Sequence, residues 1–270
     1  MSLEETHGPA RSTGSQVAEL VLVRHGESVG NVADADARRR GAGRLDLDTR
    51  DPDTPLSEQG ERQARVLARH LAHRESRPPD VMLSSPYARA ATTARIVASV
   101  ASVANLEPVL DERLRERDLG VLDGLTGVGI RELLPEEAER RERLGKFYYR
   151  PPGGESWTDV ALRVRHVVRD LGQLYPGLCV WVFTHQAVIM SFRLVLEGLD
   201  ERTLLDVDRN EPLGNCSLTR YRDRGSASLE LVTFADIRHL EASGVEETHE
   251  QTQEQTQEQT QEQAHEQRRR

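Results

Sequence analysis

Apolar runs of strand length alternate along this chain with stretches of helical spacing, and that alternation limits the folds open to it. Ala18–Val23, Val81–Leu83 and Cys179–Phe183 are short, almost uninterrupted apolar segments, as expected for strands buried on both faces. Between them, Ala64, Leu67, Ala68 and Leu71 recur at i, i+3, i+4 and i+7 behind Ser57, an expected N-cap. Ser85-Pro86 places a capping residue and a proline at the start of a helix expected to run to about Val100. Val160, Val164, Val167, Leu171 and Leu174 form a further helical stripe, and residues 187–196 read as helical again. Two β-rich stretches follow at 216–221 and 229–234, joined through Asp223-Arg224-Gly225 as an expected edge hairpin. Strands alternating with helices predict an α/β domain whose mostly parallel sheet is covered on both faces.

Both ends of the chain dilute this pattern. Residues 1–16 have no apolar period, and residues 245–270 are polar, with the run EQTQEQTQEQTQEQ between Glu250 and Gln263. A segment with no apolar face has nothing to bury, so these two stretches are expected to be disordered tails around a folding unit of residues 17–244. The formal net charge is −9, but residues 245–270, with seven Glu and three Arg, contribute −4 and residues 1–16 contribute −1. The remaining −4 argues against nonspecific nucleic-acid binding. Lys146 stands alone beside 35 arginines, so no arginine is informative without its context. No apolar run is long enough to span a bilayer, and no basic segment followed by an apolar stretch opens the chain. Two cysteines, Cys179 and Cys216, cannot make a disulfide framework, so a cytoplasmic location without membrane contact is expected.

The chemistry-bearing residues gather where strands end. The first strand runs directly into Arg24-His25-Gly26-Glu27-Ser28, with Asn31 just beyond. In an open α/β sheet, ligands bind at the carboxyl ends of strands. An Arg-His pair there offers an oxyanion clamp beside an imidazole nucleophile or base, and Gly26 is expected to let the backbone approach a ligand. The second strand leads to Ser84-Ser85-Pro86-Tyr87-Ala88-Arg89, which puts Arg89 in the first turn of a helix, where an anion is already favoured. The third ends in Thr184-His185. Two arginines and two histidines around one point describe a pocket for a phosphoryl group. A proton donor for the leaving oxygen is also needed. The charged segment 110–120 contains Glu116, but also Asp111, Glu112 and Asp118, and the residues alone do not choose among them.

The combination resembles the histidine phosphatase superfamily, which includes cofactor-dependent phosphoglycerate mutases. Arg24-His25-Gly26-Glu27-Ser28 with Asn31 is similar to its signature, and Thr54–Gly60 with Gln63-Ala64 to the segment opening its first helix. Ser85-Pro86 with Arg89-Ala90 and Thr93-Ala94 resembles the segment of its second phosphate-binding arginine. Leu114–Arg117 with Gly120 and Gly124 resembles the acid-bearing loop and so picks Glu116; His185 matches the second pocket histidine, and Asn215-Cys216-Ser217 a later strand element. The resemblance spans residues 17–235. It implies a phosphoglycerate mutase-like three-layer α/β/α sandwich with a small helical cap. It also implies a two-step reaction in which His25 takes the phosphoryl group. Arg24, Asn31, Arg89 and His185 would bind the substrate, and Glu116 would protonate the leaving alkoxide.

Departures from the mutase pattern point to a phosphatase. Asp118-Leu119-Gly120 follows Glu116-Arg117 where mutases have His-Tyr-Gly, and Leu125-Thr126-Gly127 stands where they have a lysine. Leu119 cannot hydrogen-bond a carboxylate, and Gly127 brings no cation. Gln186 stands after His185 where the family more usually has glycine, and Tyr148–Ser156 looks like the Pro-Gly-Gly-Glu-Ser stretch of phosphatase-like members, expected to help cap the pocket, with a helical cap over 126–150. A phosphomonoesterase acting on a small phosphorylated substrate is therefore expected, with a phosphotransferase of the mutase type and a noncatalytic phospho-ligand binder as alternatives. No cofactor or metal is implied: His70-x-x-His73 lies on the polar side of an Arg-rich helix with no third ligand.

Overall fold

The computed structural model describes residues 16–72, 77–100, 106–226 and 228–248. Strand β1 (Glu19–Arg24) leads to α1 (Val29–Arg39) and α2 (Glu58–Ala72), then β2 (Val81–Ser84), α3 (Ala88–Val100) and β3 (Val109–Leu110). Helices α4 (Gly127–Leu133), α5 (Pro135–Tyr148) and α6 (Trp157–Leu174) precede β4 (Cys179–Thr184). Helices α7 (Gln186–Glu197) and α8 (Glu201–Asn210), strands β5 (Leu218–Arg222) and β6 (Glu230–Asp236), and the short α9 (Arg238–Glu241) complete the order. Among the described residues the strands form one sheet in the order β3-β2-β4-β1-β5-β6. The pairings on the β3 side are parallel, and those of β5 with β1 and β6 are antiparallel, which gives the edge hairpin its place.

Alternation along the strands builds the three layers. In β1, Val21 and Val23 face a core shared with Ala64, Leu67, Ala68 and Leu71 of α2 and with Ala94 and Val97 of α3. Leu20 and Leu22 face the opposite core, with Val160, Val164 and Val167 of α6 and Val188, Ile189 and Phe192 of α7. Trp181 and Phe183 against Val180 and Val182 divide β4 in the same way. A strand apolar at every position therefore needs helices on both sides, and the expected α/β/α sandwich forms. Helices α4 and α5 make the helical cap expected over 126–150, with Ile130, Phe147 and Tyr149 buried beneath it and a kink at Gly145, whose φ is 76°. No helix among the described residues is long and apolar enough to cross a membrane.

Two helices and one cap differ from the sequence reading. Helix α1 buries only Ala37, so it has no apolar stripe to read; its start is set by a capping box between Ser28 and Asn31. Helix α8 buries only Leu204 and Asp208. Ser85 does not cap α3, which begins at Ala88, because its hydroxyl is turned to His185 instead. At the other end the chain stays on the domain past residue 244. Val245 packs on the α2-side core, and the amides of Gln59 and Gln63 donate to the Glu246 carbonyl. The segment expected to begin at 245 as a tail thus opens as a docked strap; its repeat, like residues 1–15, lies outside the described residues.

The loop after β1 is pressed onto the first turn of α2, and two glycines make that possible. A Cβ on Gly60 would lie 2.0 Å from the Glu27 carbonyl oxygen, and one on Gly26 would lie 2.5 Å from the Gly60 carbonyl oxygen. Gly26 therefore serves close packing within the protein, where the sequence reading assigned its small size to ligand approach. Ser57 secures the contact: its N–H donates to the Glu27 carbonyl at 2.9 Å and its hydroxyl to the Glu27 carboxylate at 2.5 Å. Gly60→Ala should force the loop and helix apart at a cost of about 2–3 kcal/mol, lowering Tm by roughly 4–12 °C together with activity. Thermal melts and turnover of the variant check this, and an unchanged melting temperature contradicts it.

Candidate active site

Register brings the motifs together. Arg24 is the partner of Thr184 across β1 and β4, and Ser84 is the partner of Phe183 across β2 and β4, so three strands end level. The residues that follow, His25, Ser85 and His185, meet at one edge. The His25 N–H donates to the Thr184 carbonyl, and the two imidazole centroids are 5.0 Å apart. His25, Arg89, Glu116, Tyr87, Trp157 and Gln186 line a cavity of about 460 Å³ at this edge. Arg24 and His185 are fully buried and do not line that opening. Of the six residues singled out in the sequence, the cavity and its buried wall thus gather Arg24, His25, Arg89, Glu116 and His185. Asn31 stands next door, in the capping box of α1, where it lines an adjoining cavity of about 440 Å³.

Buried cations set the state of the histidines. Burial, then the charges of Arg89 and Arg24, push the His25 imidazole well below its ordinary pKa, against a smaller opposite effect of the Gly26 carbonyl. Burial, then Arg89, His25, Arg24 and Arg163, do the same for His185. Both rings are neutral at pH 7. In His25, Nδ1 lies 2.7 Å from the Gly26 carbonyl oxygen, which can only accept, so Nδ1 carries the proton. The lone pair is left on Nε2, the form a nucleophile needs. In His185, Nε2 pairs with the Ser85 hydroxyl at 2.8 Å, and Nδ1 is buried with no partner among the described residues. Tyr87 packs edge-on against the His185 ring, at 5.3 Å between centroids.

Each charged residue around the cavity is braced. Arg89 Nη1 donates to the Asp51 carbonyl at 2.7 Å and pairs with its carboxylate at 2.9 Å. Glu116 accepts from the Arg117 N–H at 2.8 Å through Oε1. The Glu116 loop is held from behind: Arg163 of α6 donates to the carbonyls of Arg113 and Glu116, and Glu155 pairs with both Arg115 and Arg163. The Glu155 N–H also donates to the Asp118 carbonyl, and a Cβ on Gly154 would lie 2.5 Å from that same oxygen. Within the stretch 148–156, expected to help cover the pocket, Tyr149 lines the adjoining cavity while Gly154 and Glu155 brace the loop that carries Glu116; Trp157, just beyond, reaches the His25 cavity.

Further residues meet here, of which the sequence reading weighed Leu119 and Gln186 only as departures from the family pattern. Arg117, Gln186, Leu119, Asp51 and Asp123 line both cavities, and Arg141 of α5 lines the adjoining one. Burial, then the nearby Arg141 cation, lower the Arg117 pKa, opposed by Glu116, Asp208 and Glu155. Gln186 Nε2 donates to Asp208, which is itself paired with Lys146 at 2.7 Å. Arg150, by contrast, is engaged with Asp159, and Arg131 lies against Gly127 on a separate cavity. Only context within the fold distinguishes Arg117 and Arg141 among so many arginines. Of the His70 and His73 pair, His73 lies outside the described residues, and His70 stacks on the buried His239 at 5.4 Å. Burial, then His70, push the pKa of His239 down to about 4. No cluster of three metal-ligating side chains occurs among the described residues.

Comparison with known proteins agrees with this geometry. The model of the histidine phosphatase superfamily (branch 1) matches residues 20–236. A probable phosphoglycerate mutase of Photorhabdus laumondii is 31% identical over 235 residues, covering 85% of this chain and 98% of the relative. The phosphoglycerate mutase-like protein 4 of Arabidopsis thaliana is 31% identical, covering 84% of this chain and 89% of its own. Among solved structures, a mycobacterial glucosyl-3-phosphoglycerate phosphatase in complex with VO3 is 28% identical with a TM-score of 0.65, covering 82% of this chain and all of that one.

The neutral state of His25 is directly measurable. Its folded pKa is depressed, so in the ligand-free protein the ring should stay neutral at pH 6.5 and take up a proton only at lower pH. Unfolded imidazoles protonate near pH 6.5 while the buried ones do not, so stability should fall as pH drops below that value. Nitrogen-15 spectra of the imidazoles, with urea midpoints across the same range, check both expectations. A His25 ring half-protonated at or above pH 6.5 contradicts them.

Proposed function

The chain belongs to the histidine phosphatase superfamily, and we propose that it is a phosphomonoester hydrolase whose substrate carries a second anionic group beside the phosphoryl group. The observation that carries this reading is the neutral His25, with Nδ1 bonded to the Gly26 carbonyl and Nε2 left to attack, in a cavity shared with Arg89 and Glu116. In the first step His25 Nε2 attacks phosphorus in line and the bond to the leaving oxygen breaks. Glu116 supplies the proton that this oxygen takes. Arg24, Arg89 and His185 stabilise the equatorial oxygens, as positioned charge does in phosphoryl transfer generally. His185 is held in the buried wall by the pairing of its Nε2 with the Ser85 hydroxyl. In the second step a water attacks the phosphohistidine, Glu116 takes its proton, and phosphate leaves with His25 restored.

The adjoining cavity supports the substrate class. The Arg141 charge is near enough to lower the Arg117 pKa, and an anion bound in this cavity would meet both cations. Arg117 and Arg141 are placed for a carboxylate or second phosphate on the leaving group, while Leu119 gives the wall an apolar patch. The relatives named for phosphoglycerate chemistry fit the same charge pattern. The mutase alternative requires the product to be held for rephosphorylation. Leu119 and Gly127 stand where the mutase pattern has a tyrosine and a lysine, so the hold on the second anion rests on Arg117 and Arg141 alone, and release and hydrolysis should dominate.

A panel of phosphorylated metabolites, including 3-phosphoglycerate with catalytic 2,3-bisphosphoglycerate, tests the reaction type. Phosphate release should outrun isomer exchange; exchange faster by about a hundredfold, some 3 kcal/mol in favour of retention, contradicts the hydrolase reading. Arg141→Gln should lower kcat/KM for carboxylate-bearing substrates about 10- to 100-fold, the worth of one charged contact of roughly 1.5–3 kcal/mol. It should leave a neutral aryl phosphate nearly unaffected, and equal losses on both would remove the second-anion subsite. Hydrolysis should also survive exhaustive chelation, because arginines supply the charge that Mg²⁺ supplies elsewhere. Activity lost on chelation and regained with Mg²⁺ or Zn²⁺ would show the pocket to be misread.

A further inference from the structure

We propose that Thr248, at the root of the C-terminal segment, is a positioning residue for His25. The loop after β1 is gripped by two buried amide side chains. Asn215 Nδ2 donates to the His25 carbonyl at 3.0 Å, and Gln63 Oε1 accepts from the Glu27 N–H at 2.9 Å. Both amides end on one hydroxyl. Thr248 Oγ1 donates to Asn215 Oδ1 at 3.1 Å and accepts from Gln63 Nε2 at 3.0 Å. Gln63 Nε2 also donates to the Glu246 carbonyl at 3.1 Å, and the Asn215 N–H to the Thr248 carbonyl at 2.8 Å.

The polarity of this network follows from its fixed ends. A backbone carbonyl only accepts and an N–H only donates, so the His25 carbonyl, the Glu27 N–H and the Glu246 carbonyl fix which way each amide points. The Thr248 hydroxyl is the one group able to serve both at once, as donor to Asn215 and acceptor from Gln63. Its removal leaves Asn215 Oδ1 without the donor that holds it and loosens Gln63. Either amide can then rotate, releasing the His25 carbonyl or the Glu27 N–H. The neighbouring backbone is already under constraint: Cys216, at φ 57°, turns its N–H to the carbonyls of Arg24 and His25. The strap itself is accommodated at Gly214, where a Cβ would lie 2.6 Å from Glu247 Oε1. Thr248 touches no reacting atom and acts only through these amides.

The proposal rests on His25 being the nucleophile, and its test does not depend on the reaction being hydrolysis. Orthovanadate takes up a five-coordinate geometry on the nucleophilic nitrogen and so reports the in-line position, whereas inorganic phosphate reports ground-state binding in the same pocket. In the full-length chain, Thr248→Val keeps shape and the backbone bonds but removes the hydroxyl, and Thr248→Ser keeps the hydroxyl. Thr248→Val should weaken orthovanadate about tenfold and phosphate less than about twofold, a loss of alignment without a loss of affinity. Thr248→Ser should match the wild type on both. Unchanged binding of both anions by Thr248→Val, equal weakening of both, or a serine variant as impaired as the valine variant would each overturn the assignment. A wild type that binds orthovanadate but releases no phosphate from any phosphomonoester would instead remove the hydrolase reading and leave the Thr248 comparison intact.

Discussion

Two arginine charges are buried at the ends of a parallel sheet, Arg24 wholly and Arg89 nearly so, with two imidazoles between them. An isolated charge taken out of water costs several kcal/mol even after relaxation (roughly, for a partly compensated ion), so the surroundings must answer to it. The histidines answer by staying neutral, the Leu213 and Asp51 carbonyls answer by accepting guanidinium hydrogens, and the Asp51 carboxylate pairs with Arg89. What remains is two buried guanidinium groups beside two uncharged rings. In the proposed reaction this arrangement receives the phosphoryl dianion, and a neutral imidazole attacks at pH 7 without a separate base.

Holding a nucleophile in line requires the loop that carries it to be stiff. Here stiffness comes from three segments converging on three residues, His25, Gly26 and Glu27. Thr93 of α3 accepts from the Gly26 N–H at 3.0 Å, Gln63 of α2 takes the Glu27 N–H, and Asn215 takes the His25 carbonyl. Close approach at Gly26 and Gly60 leaves the loop no room to move towards α2. The acid-bearing loop is treated in the same way from the other side, through Glu155 and Arg163. The two halves of the proposed reaction thus sit on separately braced loops that meet only across the cavity.

The sequence made the sheet, both helical faces and the strand-end residues legible because each rests on a local signal. β1 and β4 are apolar at nearly every position, α2 and α6 carry clean stripes, and His25, Arg89 and His185 follow strands directly. Other features have no local signal. Helix α1 and helix α8 bury too little to show a period. Ser85 reads as a cap because serine before proline usually is one, and only the adjacency of β2 and β4 turns it towards His185. Glu155 reads as part of a stretch expected to cap the pocket until the loop it braces is seen beside it. Arg117 and Arg141 lie far apart in sequence and in a chain full of arginines, so their meeting at one cavity is a property of the fold alone. The docked strap was hidden because it has one apolar contact, Val245, and otherwise binds through hydrogen bonds to amides, where the apolar-stripe criterion cannot detect it.

The account stands on His25 accepting the phosphoryl group. Rapid acid-free quenching of enzyme with a reactive phosphomonoester, followed by alkaline digestion-compatible peptide mapping, reads this out directly. The phosphoryl group should be found on the peptide containing His25, stable to base and labile to acid, and on no other peptide. A phosphoryl group on any other side chain, or turnover with no phosphoenzyme and with unimpaired rates in His25→Ala, would contradict the account.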